Sequence, residues 1–173
     1  MKHDPSHSGA PAFERPGHDH SACADRLLAR AERLCEARGA KLTDIRRRVL
    51  EALAADHAPA GAYDVIDRLA REGDKPPAPI TVYRALDFLL AQGLAHRIES
   101  RNAFVACSHD HAAADGAPVV FLICENCGAV GEAATMDFAK ALEALAQTSG
   151  FRPRAPVIEI SGECAHCRAA RAA

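Results

Sequence analysis

The chain has 173 residues, room for one medium domain or two small ones, and a formal net charge of −2. That slightly acidic balance gives no compositional argument for nucleic-acid binding, no apolar run approaches the length of a membrane span, and the first 21 residues lack a secretory hydrophobic core. A cytoplasmic protein is expected, and seven cysteines in a reducing compartment point to metal ligation ahead of disulfides.

Residues 1–21, rich in Pro, Gly, Ser and His, read as a disordered tail; His3, His7, His18 and His20 make it either a solvated segment or a loose metal-collecting arm. Helical patterning begins near Cys23. Leu27, Ala31, Leu34 and Cys35 recur at three- and four-residue spacing, so Cys35 is expected in a core, and Gly39 stops the helix. Thr43 is placed to cap a second helix with Ile45, Val49, Leu50 and Leu53 inside. Arg46, Arg47 and Arg48 are consecutive and must fan around it. A third helix is predicted over 62–72, with Val65, Ile66 and Leu69 inside, and the proline-rich stretch 73–79 ends it.

Pro79 suits the first turn of a fourth helix and Gly93 its end. Val82, Leu86, Leu89 and Leu90 make its buried face; Tyr83, Arg84 and Asp87 fall on the other side. After Gly93 the period switches to two, which predicts a hairpin of 94–99 and 103–107 around a turn at Ser100-Arg101-Asn102. Helices followed by a hairpin are the order of a winged helix-turn-helix. Its fourth helix would offer Tyr83, with Thr81 beside it, for apolar contact with a thymine methyl, and Arg84 for a guanine or a phosphate. Arg46 and Arg47 are candidate phosphate contacts, and Tyr63 a candidate backbone or minor-groove contact. Residues 41–103 hold ten basic and nine acidic side chains, so non-specific affinity for DNA should be weak.

Small, polar and acidic residues at 108–118 read as a hinge. Strands are predicted at 119–124, around 130–132 and at 157–161, with a helix over 136–149 that places Phe138, Leu142 and Leu145 on one face. The resulting division is a tail (1–21), a head (22–107), a hinge (108–118) and a second domain (119–173). Two Cys-x-x-Cys pairs belong to that second domain: Cys124/Cys127 and Cys164/Cys167, separated by 36 residues. Together they supply four thiolates, the closed tetrahedral set of a structural zinc ion. The alternative is a redox dithiol, although no thioredoxin-like βαβ pattern surrounds either pair. No nucleophile–base–orienter set and no phosphate-binding glycine loop is visible, so no enzymatic activity is expected.

Thr81-Val82-Tyr83-Arg84-Ala85-Leu86, the hairpin, and Phe121-Leu122-Ile123-Cys124-x-x-Cys127-Gly128, joined by Leu42-Thr43-x-x-Arg46-x-x-Val49-Leu50, together resemble the ferric uptake regulator family. Residues 82–90 and 93–100 look most like its zinc uptake regulator branch. The resemblance implies an α+β protein in which a winged-helix DNA-binding domain precedes a C-terminal α/β dimerisation domain with structural zinc. It also implies a dimeric, metal-dependent transcription repressor that grips palindromic double-stranded DNA near zinc-acquisition genes.

A second, regulatory zinc site is expected. His96 and Cys107 lie on facing strands of the proposed wing, and the resemblance places a carboxylate ligand at Glu132, eight residues after Cys124. It also asks for a hinge histidine, His111 or alternatively His109. Thiolate, two imidazoles and a carboxylate suit Zn²⁺ better than Fe²⁺. The iron-type branch would offer a histidine just before the third helix, where Pro59 stands and His57 is offset by two. Sibling sensors of iron, manganese or peroxide remain the alternative reading. The mechanism implied is an ion that ties the wing to the dimerisation domain and fixes the angle between two DNA-reading heads.

Overall fold

The computed structural model describes residues 13, 20–56, 58–71, 76–107, 119–133, 136–153 and 157–172. The tail histidines His3, His7 and His18, most of the stretch expected as a tail, His57, the start of the proline-rich turn and the expected hinge with His109 and His111 lie outside them. The chain divides into two compact units: Asp19–Gly116 with Gly128–Val130, and Met1–His18, Ala117–Cys127 and Gly131–Ala173.

The first unit opens with α1 (His20–Ala37), α2 (Asp44–Ala54), α3 (Ala62–Arg71) and α4 (Pro79–Ala91). Helix α1 starts three residues before Cys23, where the apolar periodicity begins; the sequence His20-Ser21-Ala22 carries no large apolar residue and so no periodic signal. Leu27, Ala31 and Cys35, four residues apart, make its buried stripe. They pack in one cluster with Val49, Leu50 and Leu53 of α2, Val65 and Leu69 of α3, and Val82, Leu86 and Leu89 of α4. Cys35 is therefore a core residue, and burial pushes its thiol up, partly offset by Arg46 and Arg38.

Thr43 sits at the N-cap of α2 in extended backbone, but its hydroxyl makes no capping bond; only its carbonyl serves, accepting from the Arg47 N–H at 2.9 Å. Pro79 takes an opening position in α4, where its missing N–H costs nothing. At the other end Gly93 adopts φ +68°. The Leu94 N–H then reaches Leu89 O at 2.9 Å and the Gly93 N–H reaches Leu90 O at 3.0 Å, a Schellman closure that needs the left-handed backbone glycine supplies.

The chain turns at once into the antiparallel pair β1 (Ala95–Ile98) and β2 (Ala103–Ala106), with His96 opposite Val105. A single 3₁₀ turn, Glu99–Arg101, joins them, and Asn102 takes the left-handed position at φ +45° that asparagine tolerates. Ala60, just before α3, adds a bridge to Phe104, with backbone bonds of 2.9 and 2.8 Å. These elements form a winged helix-turn-helix.

The second unit carries β3 (Val119–Cys124), most of β4 (Val130–Ala133), α5 (Met136–Ser149), β5 (Val157–Gly162) and α6 (Ala165–Ala172). The sheet order is β4-β3-β5, and β3 and β5 run parallel from Val119↔Val157 to Cys124↔Gly162. Parallel neighbours need a long crossover, which β4 and α5 provide. The register brings the C-terminal ends of β3 and β5 together, and each of those ends runs into a Cys-x-x-Cys pair.

Candidate metal centres and DNA-reading face

All four expected sulfurs converge where β3 and β5 end. Cys124 Sγ lies 3.8 Å from Cys167 Sγ, Cys127 Sγ lies 3.9 Å from Cys164 Sγ, and the four ligand atoms all fall within 4.8 Å of one another. A tetrahedron with Zn–S bonds of about 2.3 Å has S···S edges of about 3.8 Å. The set therefore fits zinc by distance as well as by chemistry.

Backbone donors prepare the cluster. The N–H groups of Cys127 and Cys164 bring the Cys124 thiol down to about 6; the Cys164 N–H donates to Cys124 Sγ at 3.4 Å. Cys167 is pushed up to about 12, chiefly through its hydrogen bond with Cys164 Sγ and then by burial. One thiolate forms readily and the last resists, which is the expected behaviour of four sulfurs that need a divalent cation to ionise together. Asn126 Nδ2 donates to Glu163 Oε1 at 2.6 Å, and Arg171 pairs with Glu163 at 3.2 Å, so the two cysteine loops are laced outside the sulfurs too.

In the head, Cys107 follows β2 directly and is fully buried; its N–H donates to Leu94 O at 3.0 Å. His96 opposes Val105, so His96 and Cys107, two residues further on, project from one face of the wing, their ligand atoms within 4.8 Å. Glu132 stands on β4, with a buried carboxylate oxygen.

Helix α4 turns Tyr83 and Arg84 outward, and Thr81 is half-buried behind them. No hydrogen bond or ion pair ties Arg84 to Asp87 or to any other described residue. Tyr63 is 67% exposed at the start of α3. The three arginines of α2 do fan out. The Arg46 guanidinium lies 3.5 Å from the centroid of the Phe88 ring and donates to Lys41 O, Arg47 pairs with Glu32, and Arg48 donates to Leu69 O.

Two residues escaped the sequence reading. Ile80, 60% exposed, sits one turn before Tyr83 and extends an apolar patch on the outer face of α4. Arg30 of α1 hydrogen-bonds to Cys107. The signal for Ile80 was its position outside the 82/86/89 stripe; for Arg30 it was a cation at the border of the 27/31/35 stripe.

A four-helix head with a β-wing, in one chain with a tetra-thiolate cluster, defines a winged-helix protein of metal-binding type. The chain belongs to the ferric uptake regulator family: that family's profile matches residues 37–161. It is 42% identical over 145 residues to the zinc uptake regulation protein of Escherichia coli (strain K12), spanning 82% of this chain and 81% of that protein. Among solved structures it resembles a zinc uptake regulator complexed with zinc and DNA, with a TM-score of 0.77 and 39% identity over 87% of this chain and 98% of the other. It also resembles holo XcZur, with a TM-score of 0.73 and 45% identity over 84% and 99%. No helix among the described residues is long and apolar enough to cross a membrane.

Proposed function

We propose that this chain is a zinc-responsive, DNA-binding transcriptional repressor. It acts in the cytoplasm as a homodimer, with zinc as corepressor and zinc-acquisition genes as targets. The observation that carries this reading is the pairing of His96 with Cys107 on one face of the wing, directly beyond the recognition helix. The relatives named for zinc uptake regulation, one of them solved with zinc and DNA, support it.

Each subunit takes two ions. Cys124, Cys127, Cys164 and Cys167 hold a structural one, in a closed shell with no position open for catalysis. His96, Cys107 and Glu132 hold the regulatory one, completed by His111 or alternatively His109 across the 108–118 hinge. A set with one soft thiolate among imidazole and carboxylate favours zinc over ferrous iron, which ranks low in affinity. Zinc, when bound, supplies the charge that lets these ligands stand together deprotonated.

The remaining work belongs to side chains. Leu145, Phe151, Val157 and Ile160 are 63%, 69%, 49% and 45% exposed, and β5 is the sheet's edge strand, so the second unit leaves apolar surface and an open sheet edge for a second copy to cover. A two-fold dimer presents two recognition helices to a palindromic operator. Tyr83 and Thr81 meet thymine methyls, Arg84 pairs with a guanine or a phosphate, and Arg46, Arg47 and Tyr63 contact the backbone.

The test is a gel-shift against upstream regions of neighbouring genes at buffered free metal. Zinc should activate binding at a lower free concentration than Fe²⁺ or Mn²⁺, and Cys107→Ser should lose zinc-dependent binding while remaining a folded, zinc-containing dimer. Activation by Fe²⁺ or Mn²⁺ at lower free concentration would contradict the choice of metal.

A further inference from the structure

We propose that Arg30 is a positioning residue for the regulatory site, fixing Cys107 against the C-terminal end of the recognition helix. The inference rests on the reading of Cys107 as a ligand of the second ion. From α1, Arg30 Nη1 donates to Cys107 O at 3.1 Å, while Nη2 donates to Gly93 O at 3.1 Å and to Cys107 Sγ at 3.4 Å. One planar fork thus spans the residue that ends α4 and the residue that ends the wing.

With the Cys107 N–H bound to Leu94 O at 3.0 Å, the cysteine is held through its nitrogen, its carbonyl and its sulfur. The sulfur of a buried ligand is thereby aimed before any ion arrives. A guanidinium suits this task because it keeps its charge and presents several donors in one rigid plane. Lysine, with a single ammonium on a flexible stem, can reach one of these acceptors well but cannot reproduce the fork. Outer partners of this kind orient metal ligands, and their loss costs about 10–100-fold in metal affinity. The same fork gives the ligand a direct mechanical link to Gly93, and through its Schellman closure to α4.

The experiment measures second-site zinc affinity by chelator competition on the full chain without DNA, the four-cysteine ion being left in place. A parallel Co²⁺ titration reads the thiolate-to-cobalt band of Cys107. Arg30→Met should weaken the second site about 10–100-fold and shift that band, with Arg30→Lys recovering part of both. Unchanged affinity and an unchanged band in Arg30→Met, even with a lowered melting temperature, would make Arg30 a mere brace of the head and overturn the proposal. Should Arg30→Met not fold, Arg30→Lys and Arg30→Gln carry the same comparison. Cys107→Ser separates the two levels. If it keeps the second ion at wild-type affinity, the ligand assignment fails. If it loses the ion while the Arg30 variants bind normally, the assignment stands and only the role of Arg30 falls.

Discussion

Replacing Cys127 by serine isolates the contribution of one metal ligand from that of packing. Cys127 is the exposed member of the four, while Cys124 and Cys164 are buried. Serine there is nearly isosteric, so the cost apart from metal should stay within about 0.5 kcal/mol, as for most surface substitutions. The metal contribution is far larger. A structural zinc ion contributes about 10–16 kcal/mol, and an even share among four sulfurs is about 2.5–4 kcal/mol, or a loss of roughly 10²–10³-fold in affinity. The assay is a chelator competition on wild type and Cys127→Ser, paired with thermal melts of both in zinc and in excess strong chelator. The variant should bind zinc weakly and melt early when zinc is present. The two proteins should melt alike once both are stripped, because the second unit loses its staple in each. Equal zinc affinity, or a deficit of the same size in chelator, would show that the sulfur cluster is not what holds this unit together.

Other expectations follow from the same geometry. Ile80→Ala should leave the melting temperature nearly unchanged, since Ile80 is 60% exposed, but weaken binding to a thymine-containing operator; an unaltered gel-shift would remove Ile80 from the reading face. Leu86→Ala, at a fully buried site, should cost the head about 2–5 kcal/mol by denaturant melt while four-sulfur zinc affinity stays put; a change in that affinity would contradict the division into units. Acid should release the structural ion, because its thiolates must be proton-free. Backbone donors already bring the metal-free Cys124 thiol down to about 6, below the ordinary thiol range, and a bound cation extends its deprotonated form to lower pH still, so release should come only below that value. A zinc-dye titration in which the ion is already released well above that pH, in the ordinary thiol range, would refute the sign of the shift.

Local signals made much of the head legible. Pro79 and Gly93 bracket α4 because one lacks an N–H the helix does not need and the other supplies a positive φ the helix end requires. The switch from period three-and-a-half to period two marked the wing. The parallel pairing of β3 with β5 was not legible, since nothing local tells a strand which distant partner it will take. Yet that register explains why cysteine pairs 36 residues apart meet. Long flexible side chains were equally opaque. The stacking of Arg46 on Phe88 and the reach of Arg30 to Cys107 depend on how α1, α2 and α4 pack, which periodicity fixes only as buried or exposed. Thr43 shows the converse: a correct helix start read from a side chain that makes no capping bond.

The most direct measurement is operator binding by the full chain as free zinc is lowered with a chelator strong enough to strip the His96/Cys107 ion but not the four-cysteine one, zinc content being counted at each point. Grip on DNA should be lost when the zinc count halves, while the dimer persists. Undiminished binding at that half-loaded state would contradict it.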